Sequence, residues 1–115
     1  MTKEKWTPKS LYSFQNSRYF RNRLPSISVV WNKTYHSGSH RHYMGSTWFD
    51  GKTGRPVKIT LNPKYKTSFA LWAATLLHEM CHVQQWRVPT EQAHGRKFQN
   101  RMKQLAARGA FNGLW

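Results

Sequence analysis

The sequence predicts an α+β domain: an N-terminal helix, a small three-stranded antiparallel sheet and two closing helices. Three observations carry that reading. β-Branched and aromatic residues gather in three short stretches between residues 27 and 61. Residues 68–87 are apolar on most sides at helical spacing. Proline, glycine and asparagine punctuate the junctions. A chain of 115 residues makes one domain, residues 1–115, with a core from about 8 to 108. It can bury one core but not two.

Residues 8–24 read as the first helix. Pro8 suits its first turn, Leu11, Phe14, Phe20 and Leu24 recur at helical spacing, and Pro25 ends it. Ile27 to Trp31 is the first strand. Residues 32–42 are polar and turn-rich. Tyr43 to Phe49 is the second strand, closed by the turn Asp50-Gly51-Lys52-Thr53-Gly54. Val57-Lys58-Ile59-Thr60-Leu61 alternates apolar and polar, which marks a half-buried third strand, and Asn62-Pro63 stops it. The apolar helix at 68–87 belongs in the middle of the domain, and Pro89-Thr90 breaks it. A last helix starts at about Glu91 or Gly95 and runs to Arg108, with Phe98, Met102 and Leu105 on one side and Gly109 as its stop.

Composition narrows the function classes. Aromatic residues make up 15%, with six Trp, which a disordered chain does not carry. No apolar stretch approaches the roughly 20 residues of a membrane span. The N-terminus lacks the apolar core of a secretory signal. The single cysteine, Cys81, excludes an intramolecular disulfide, a cysteine zinc ribbon and an iron–sulfur site. The expected compartment is the cytoplasm, without membrane association.

Nineteen Lys and Arg face four Asp and Glu, for a formal charge of +15. Such a charge calls for a polyanion, and a nucleic-acid backbone rewards it through counterion release. Anionic lipid or an acidic protein would serve too. The basic residues are dispersed over the elements rather than gathered in an arm: Lys3 and Lys5 precede the first helix. The candidate nucleic-acid contacts are Arg18, Arg21, Arg41, Lys52, Arg55, Arg96, Lys97 and Arg101. Exposed Trp or Tyr beside them would stack unpaired bases, which favours single-stranded DNA and a nucleoid association.

The chemistry lies in the central helix. His78-Glu79-Met80-Cys81-His82 is H-E-x-x-H. Residues four apart lie about 40° apart and about 6 Å along the axis, so both imidazoles can converge on one Zn²⁺. Glu79, one residue on, is placed as a general base rather than a ligand. It is also the sole acidic residue between Asp50 and Glu91, set in an apolar run where an unpaired carboxylate is costly. A catalytic zinc takes three protein ligands. His94 is the favoured third, past the Pro89-Thr90 break, where Gly95 permits close approach and Phe98 anchors the next helix. Glu91 and the cluster His36, His40 and His42 are the alternatives. That cluster otherwise reads as a solvated loop, and Cys81 as a small core residue.

Leu76-Leu77-His78-Glu79-Met80-Cys81-His82, followed by His94-Gly95-Arg96-Lys97-Phe98, resembles the SprT-like, Spartan-related zinc metalloprotease domain family. Its signature is H-E-x-x-H followed downstream by H-G-x-x-F. Asn16-x-x-Tyr19-Phe20-x-x-x-Leu24-Pro25 and Ile59-x-Leu61-Asn62 look like the family's first helix and edge strand. The resemblance spans roughly residues 8–105. It implies a minimal zincin-like fold, zinc held by His78, His82 and His94, and Glu79 as base. It also implies protein substrates trapped covalently on DNA, with DNA as activator, and so a role in DNA–protein crosslink repair. Bacterial SprT proteins often carry a C-terminal cysteine zinc ribbon that one cysteine cannot build, and Spartan-type proteins carry long DNA-binding tails not seen in these 115 residues, so DNA recognition is expected of this domain itself.

The leading expectation is a zinc-dependent endopeptidase. Tyr43, Tyr65 and the loop histidines are candidates to stabilise the developing oxyanion. An extended substrate is expected to add to the strand at 57–61. Two other readings fit the charge: a basic nucleic-acid-binding module with a structural zinc, and a zinc peptidase acting on an acidic or membrane-associated protein without DNA.

Overall fold

Thr7 starts the first helix, α1 (Pro8–Tyr19). Its hydroxyl accepts from the Ser10 N–H at 3.0 Å, and the Ser10 hydroxyl accepts from the Thr7 N–H at 2.9 Å. This reciprocal box satisfies two N–H groups that the helix itself leaves unpaired. The computed structural model describes residues 6–112. Lys3 and Lys5 lie outside the described residues.

α1 ends at Tyr19, five residues before the expected stop. Arg21 (φ 55°) and Asn22 (φ 58°) turn left-handed. The Asn16 amide then brackets Leu24, accepting from its N–H and donating to its C=O, both at 3.1 Å. Phe20 and Leu24 still reach the core, but through a turn rather than along a helix. Their spacing imitates a helical stripe.

The strands are β1 (Ser28–Trp31), β2 (Gly45–Phe49) and β3 (Pro56–Leu61), in the order β1-β3-β2. β2 and β3 form the expected hairpin. Its turn is fixed by the Asp50 carboxylate, which accepts from the N–H groups of Lys52 and Thr53 at 2.8 Å each. β1, however, pairs parallel to β3, with Val29 opposite Ile59. The sheet is therefore mixed, not wholly antiparallel. The long 32–44 connection carries the chain past the central position before the hairpin returns β3 into it. Ile59, Thr60 and Leu61 are fully buried, as a central strand demands. Both edges of β3 are paired, so residues 57–61 cannot take an added strand. Among the described residues, the free edges belong to β1 and β2.

The face of β3 away from α2 is covered as well. The Thr60 hydroxyl accepts from Trp48 Nε1 at 3.0 Å and lies 3.3 Å from His36 Nε2. The 32–42 segment is thus not simply a solvated loop. His36 is buried, and His40 stacks on Tyr35 with centroids 4.4 Å apart. Only His42 of the three is fully exposed.

α2 (Phe69–Gln84) occupies the centre, with Leu76, Leu77, Met80 and Cys81 fully buried. Cys81 packs as a core residue, its sulfur 3.6 Å from Met102 Sδ. α3 (Arg96–Ala107) packs against α2, and Gly109 (φ 81°) closes it in the left-handed region. Gly45 lets β2 lie tightly on α2: a Cβ there would sit 2.9 Å from Thr75 Cγ2. Among the described residues, no helix is long and apolar enough to cross a membrane.

Candidate metal centre

His78 and His82 project from one face of α2, as their spacing requires. His94 comes from the segment between α2 and α3, and three hydrogen bonds place it. Gly95 N–H donates to Gln92 O at 2.9 Å, Gln99 Nε2 to His94 O at 3.3 Å, and Gln85 Nε2 to Lys97 O at 3.1 Å. A Cβ at Gly95 would meet Gln92 O at 3.1 Å, so this turn favours glycine. Phe98 lies against all three imidazoles, with centroids 4.8, 4.6 and 5.0 Å from His78, His82 and His94. One buried ring therefore orients the whole ligand set.

The three Nε2 atoms form a triangle with sides of 3.3, 3.0 and 3.4 Å. Ligands at 2.0–2.1 Å from a tetrahedral zinc would be about 3.3–3.4 Å apart. Hydrogen bonding alone cannot satisfy this triangle. Each Nε2 is either a donor or an acceptor, so one of the three pairs always matches like with like. A cation at the centre resolves that conflict. Burial, and then neighbouring His94, push the His78 imidazole down to about 4. Burial does the same to His82, with His78 and His94 contributing. Both are neutral near pH 7, the form that binds a metal. The donor set thus fits the group.

Glu79 is 7% exposed. Its Oε2 lies 3.9 Å from His78 Nε2, which is a contact and not an ion pair while the imidazole is neutral. Its Oε1 accepts from Thr47 Oγ1 at 2.7 Å. Burial pushes the carboxyl up to about 7, against the lowering effect of Thr47. The partner that this buried carboxylate finds is therefore a hydroxyl from β2. Thr47 is 32 positions away, and nothing in the sequence pairs it with Glu79.

These residues line a groove of about 770 Å³ with every residue of β2 along it. Tyr43 lines it too, whereas Tyr65 and the loop histidines do not. Tyr35 also faces it and was not singled out by sequence. Glu91 is exposed in the 3₁₀ turn Thr90–Gln92 and is not grouped with the histidines. Neither are His36, His40 or His42.

Of the basic candidates, Arg18, Arg21, Arg41, Lys52, Arg55, Arg96 and Lys97 are exposed. Arg101 has another engagement. It donates to Gln84 Oε1 at 2.8 Å and to Tyr19 O at 2.7 Å, tying α3 to the end of α1. Arg87 and Arg55 lie over the Trp86 ring, 4.5 and 5.5 Å from its centroid.

A comparison with protein families matches residues 9–113 to the model described as the SprT-like family. No curated protein and no solved structure matches the chain. The family match covers nearly the whole chain and agrees with the three-histidine centre, so this protein belongs to the SprT-like family of metallopeptidase-like domains.

Proposed function

We propose that this protein is a zinc-dependent endopeptidase that acts on DNA-bound or DNA-crosslinked proteins and is stimulated by DNA. The observation that carries the reading is the conjunction of a tetrahedron-sized Nε2 triangle with a buried carboxylate beside it. A structural zinc has no use for Glu79, which disfavours the binding-module reading.

His78, His82 and His94 would hold the zinc through Nε2. When bound, zinc supplies Lewis-acid polarisation of the scissile carbonyl and eases ionisation of water. Glu79 takes the proton of the attacking water and delivers it to the leaving amine nitrogen. Burial raises the carboxyl and so makes Glu79 a stronger base than an exposed carboxylate. Thr47 fixes Oε1 and so sets the orientation of the carboxylate. Tyr43 is the candidate oxyanion donor that the groove retains. The free edge of β2 runs along the groove, so an extended peptide would pair there.

The charge of +15 supports a DNA partner, single-stranded where exposed aromatics stack bases. It also supports a DNA-associated place in the cytoplasm. The test is to incubate the zinc-loaded protein and Glu79→Gln with a DNA-binding protein substrate, with and without single-stranded DNA. Cleavage that requires both Glu79 and DNA is expected. Tight DNA binding without cleavage would refute the peptidase, and cleavage indifferent to DNA would refute the DNA role.

A further inference from the structure

A second cavity, of about 360 Å³, adjoins the metal centre. Its walls are Tyr43 and Met44 before β2, Leu71, Ala74 and Thr75 on α2, and Met102 on α3. It shares Tyr43, Gly45, His78 and Glu79 with the groove. On α2, residues 71, 74, 75 and 78 occupy one face, so a single stripe leads from the cavity to the first metal ligand.

Two features mark the cavity as built for an apolar group. Leu71 is 38% exposed on a helix whose other large apolar residues are mostly buried, and Tyr43 is 50% exposed. Among the described residues, no Lys or Arg lines the cavity, in a chain with nineteen of them. The one hydroxyl of the α2 wall, Thr75 Oγ1, donates to Leu71 O at 2.8 Å and is already engaged. Met44 and Met102 supply flexible walls that adapt to different apolar shapes. The volume lies at the small end of ligand pockets, about 300–1,000 Å³, which suits one side chain rather than a separate ligand.

We infer that this cavity is a specificity subsite for an apolar side chain of the substrate residue flanking the scissile bond. The inference rests on the peptidase reading for its occupant. A residue whose peptide group meets Glu79 and the histidines has this cavity as the adjoining space for its side chain. The substrates would be proteins cut beside Leu, Met or Phe, while acidic flanking residues would be disfavoured. One methylene in an apolar pocket discriminates by about 10–200-fold, so apolar over acidic flanking residues should exceed tenfold in kcat/KM.

The test uses the full, zinc-loaded chain in two arms. Cleavage sites in a peptide mixture are mapped for wild type, Leu71→Lys and Leu71→Ala. Binding of a hydroxamate with an isobutyl side chain, and of its carboxymethyl analogue, is followed by the methyl signals of ¹³C-labelled Met44 and Met102. Leu71 is partly exposed, so neither substitution opens a core cavity. The expected result is an apolar residue at one fixed position beside the cut, a preference reduced about tenfold or more by Leu71→Lys and moved towards larger side chains by Leu71→Ala. The isobutyl probe should bind more tightly and shift both methyl signals. Cleavage with no flanking preference, or one that Leu71→Lys leaves unmoved, overturns the subsite and leaves the peptidase standing. Preferred binding of the isobutyl probe without any cleavage supports the cavity and refutes the peptidase. Neither cleavage nor preferred binding overturns both.

Discussion

Replacing Thr47 by Val removes one hydroxyl and keeps the shape of the side chain. That hydroxyl sits 2.7 Å from Glu79 Oε1, on a carboxylate that is 7% exposed. A hydrogen bond to a charged group contributes about 1.5–3 kcal/mol, and its loss leaves a buried acceptor unpaired. Glu79→Met removes the carboxylate from the other side. In that background the Thr47 hydroxyl keeps the Glu79 backbone O as an acceptor at 3.3 Å, since a backbone oxygen survives the substitution. Thr47→Val should then cost about 0.5 kcal/mol or less. The double-mutant cycle is therefore expected to give a coupling of about 1–2.5 kcal/mol. Urea unfolding of the four proteins in chelator, at a pH well above 7 where the Glu79 carboxyl is ionised, followed by tryptophan fluorescence, measures it without any metal contribution. A coupling within about 0.3 kcal/mol of zero would show that Thr47 does not hold the carboxylate.

Zinc at a hundredfold excess over its Kd should stabilise the protein by about 2.7 kcal/mol, read as a rise in Tm that chelator reverses. His94→Ala should remove most of that rise while leaving the metal-free Tm nearly unchanged, because His94 is exposed. Asn16→Ala deletes two buried hydrogen bonds to Leu24. It should cost about 2–4 kcal/mol in urea unfolding, and a loss under about 0.5 would mean that the bracket does not hold the turn. The Tyr12 hydroxyl donates to Pro25 O at 2.7 Å, and burial raises it from 10.0 to about 12. The fold favours the protonated phenol, so its contribution is complete below pH 10 and is lost as pH rises through about 12. The loss approaches about 3 kcal/mol, and Tyr12→Phe should flatten this alkaline limb.

The three-histidine cluster was largely legible in the sequence because its geometry is local. His78 and His82 share a face by helical periodicity alone, and the glycine and phenylalanine after His94 announce a tight turn and a buried anchor. The helix at 69–84 was equally plain, since a run so apolar has to be central. What escaped depends on contacts between distant positions. Thr47 meets Glu79 only because Gly45 lets β2 settle on α2. The end of α1 is set by a side chain reaching eight residues on, which periodicity cannot register. The sheet order escaped because alternation specifies faces, not neighbours. The burial of Thr60 betrays a central strand only when both of its sides are seen.

The unpaired edge of β2 also bears on how the molecule behaves in a crowd of its own copies. A bare edge is a template for any passing strand, including the same strand of another molecule. β2 does little to blunt itself: its five residues, Gly45-Ser46-Thr47-Trp48-Phe49, include no charge and no proline. Protection comes instead from the whole surface, because two molecules of +15 repel before their edges can meet. That repulsion reaches about 10 Å at 0.1 M salt and only about 3 Å at 1 M. The same positive field that would gather a polyanion thus keeps the edge from pairing with its own copies. Neutralising it, with concentrated salt or with saturating polyanion, should turn a monodisperse solution into one prone to edge-to-edge association.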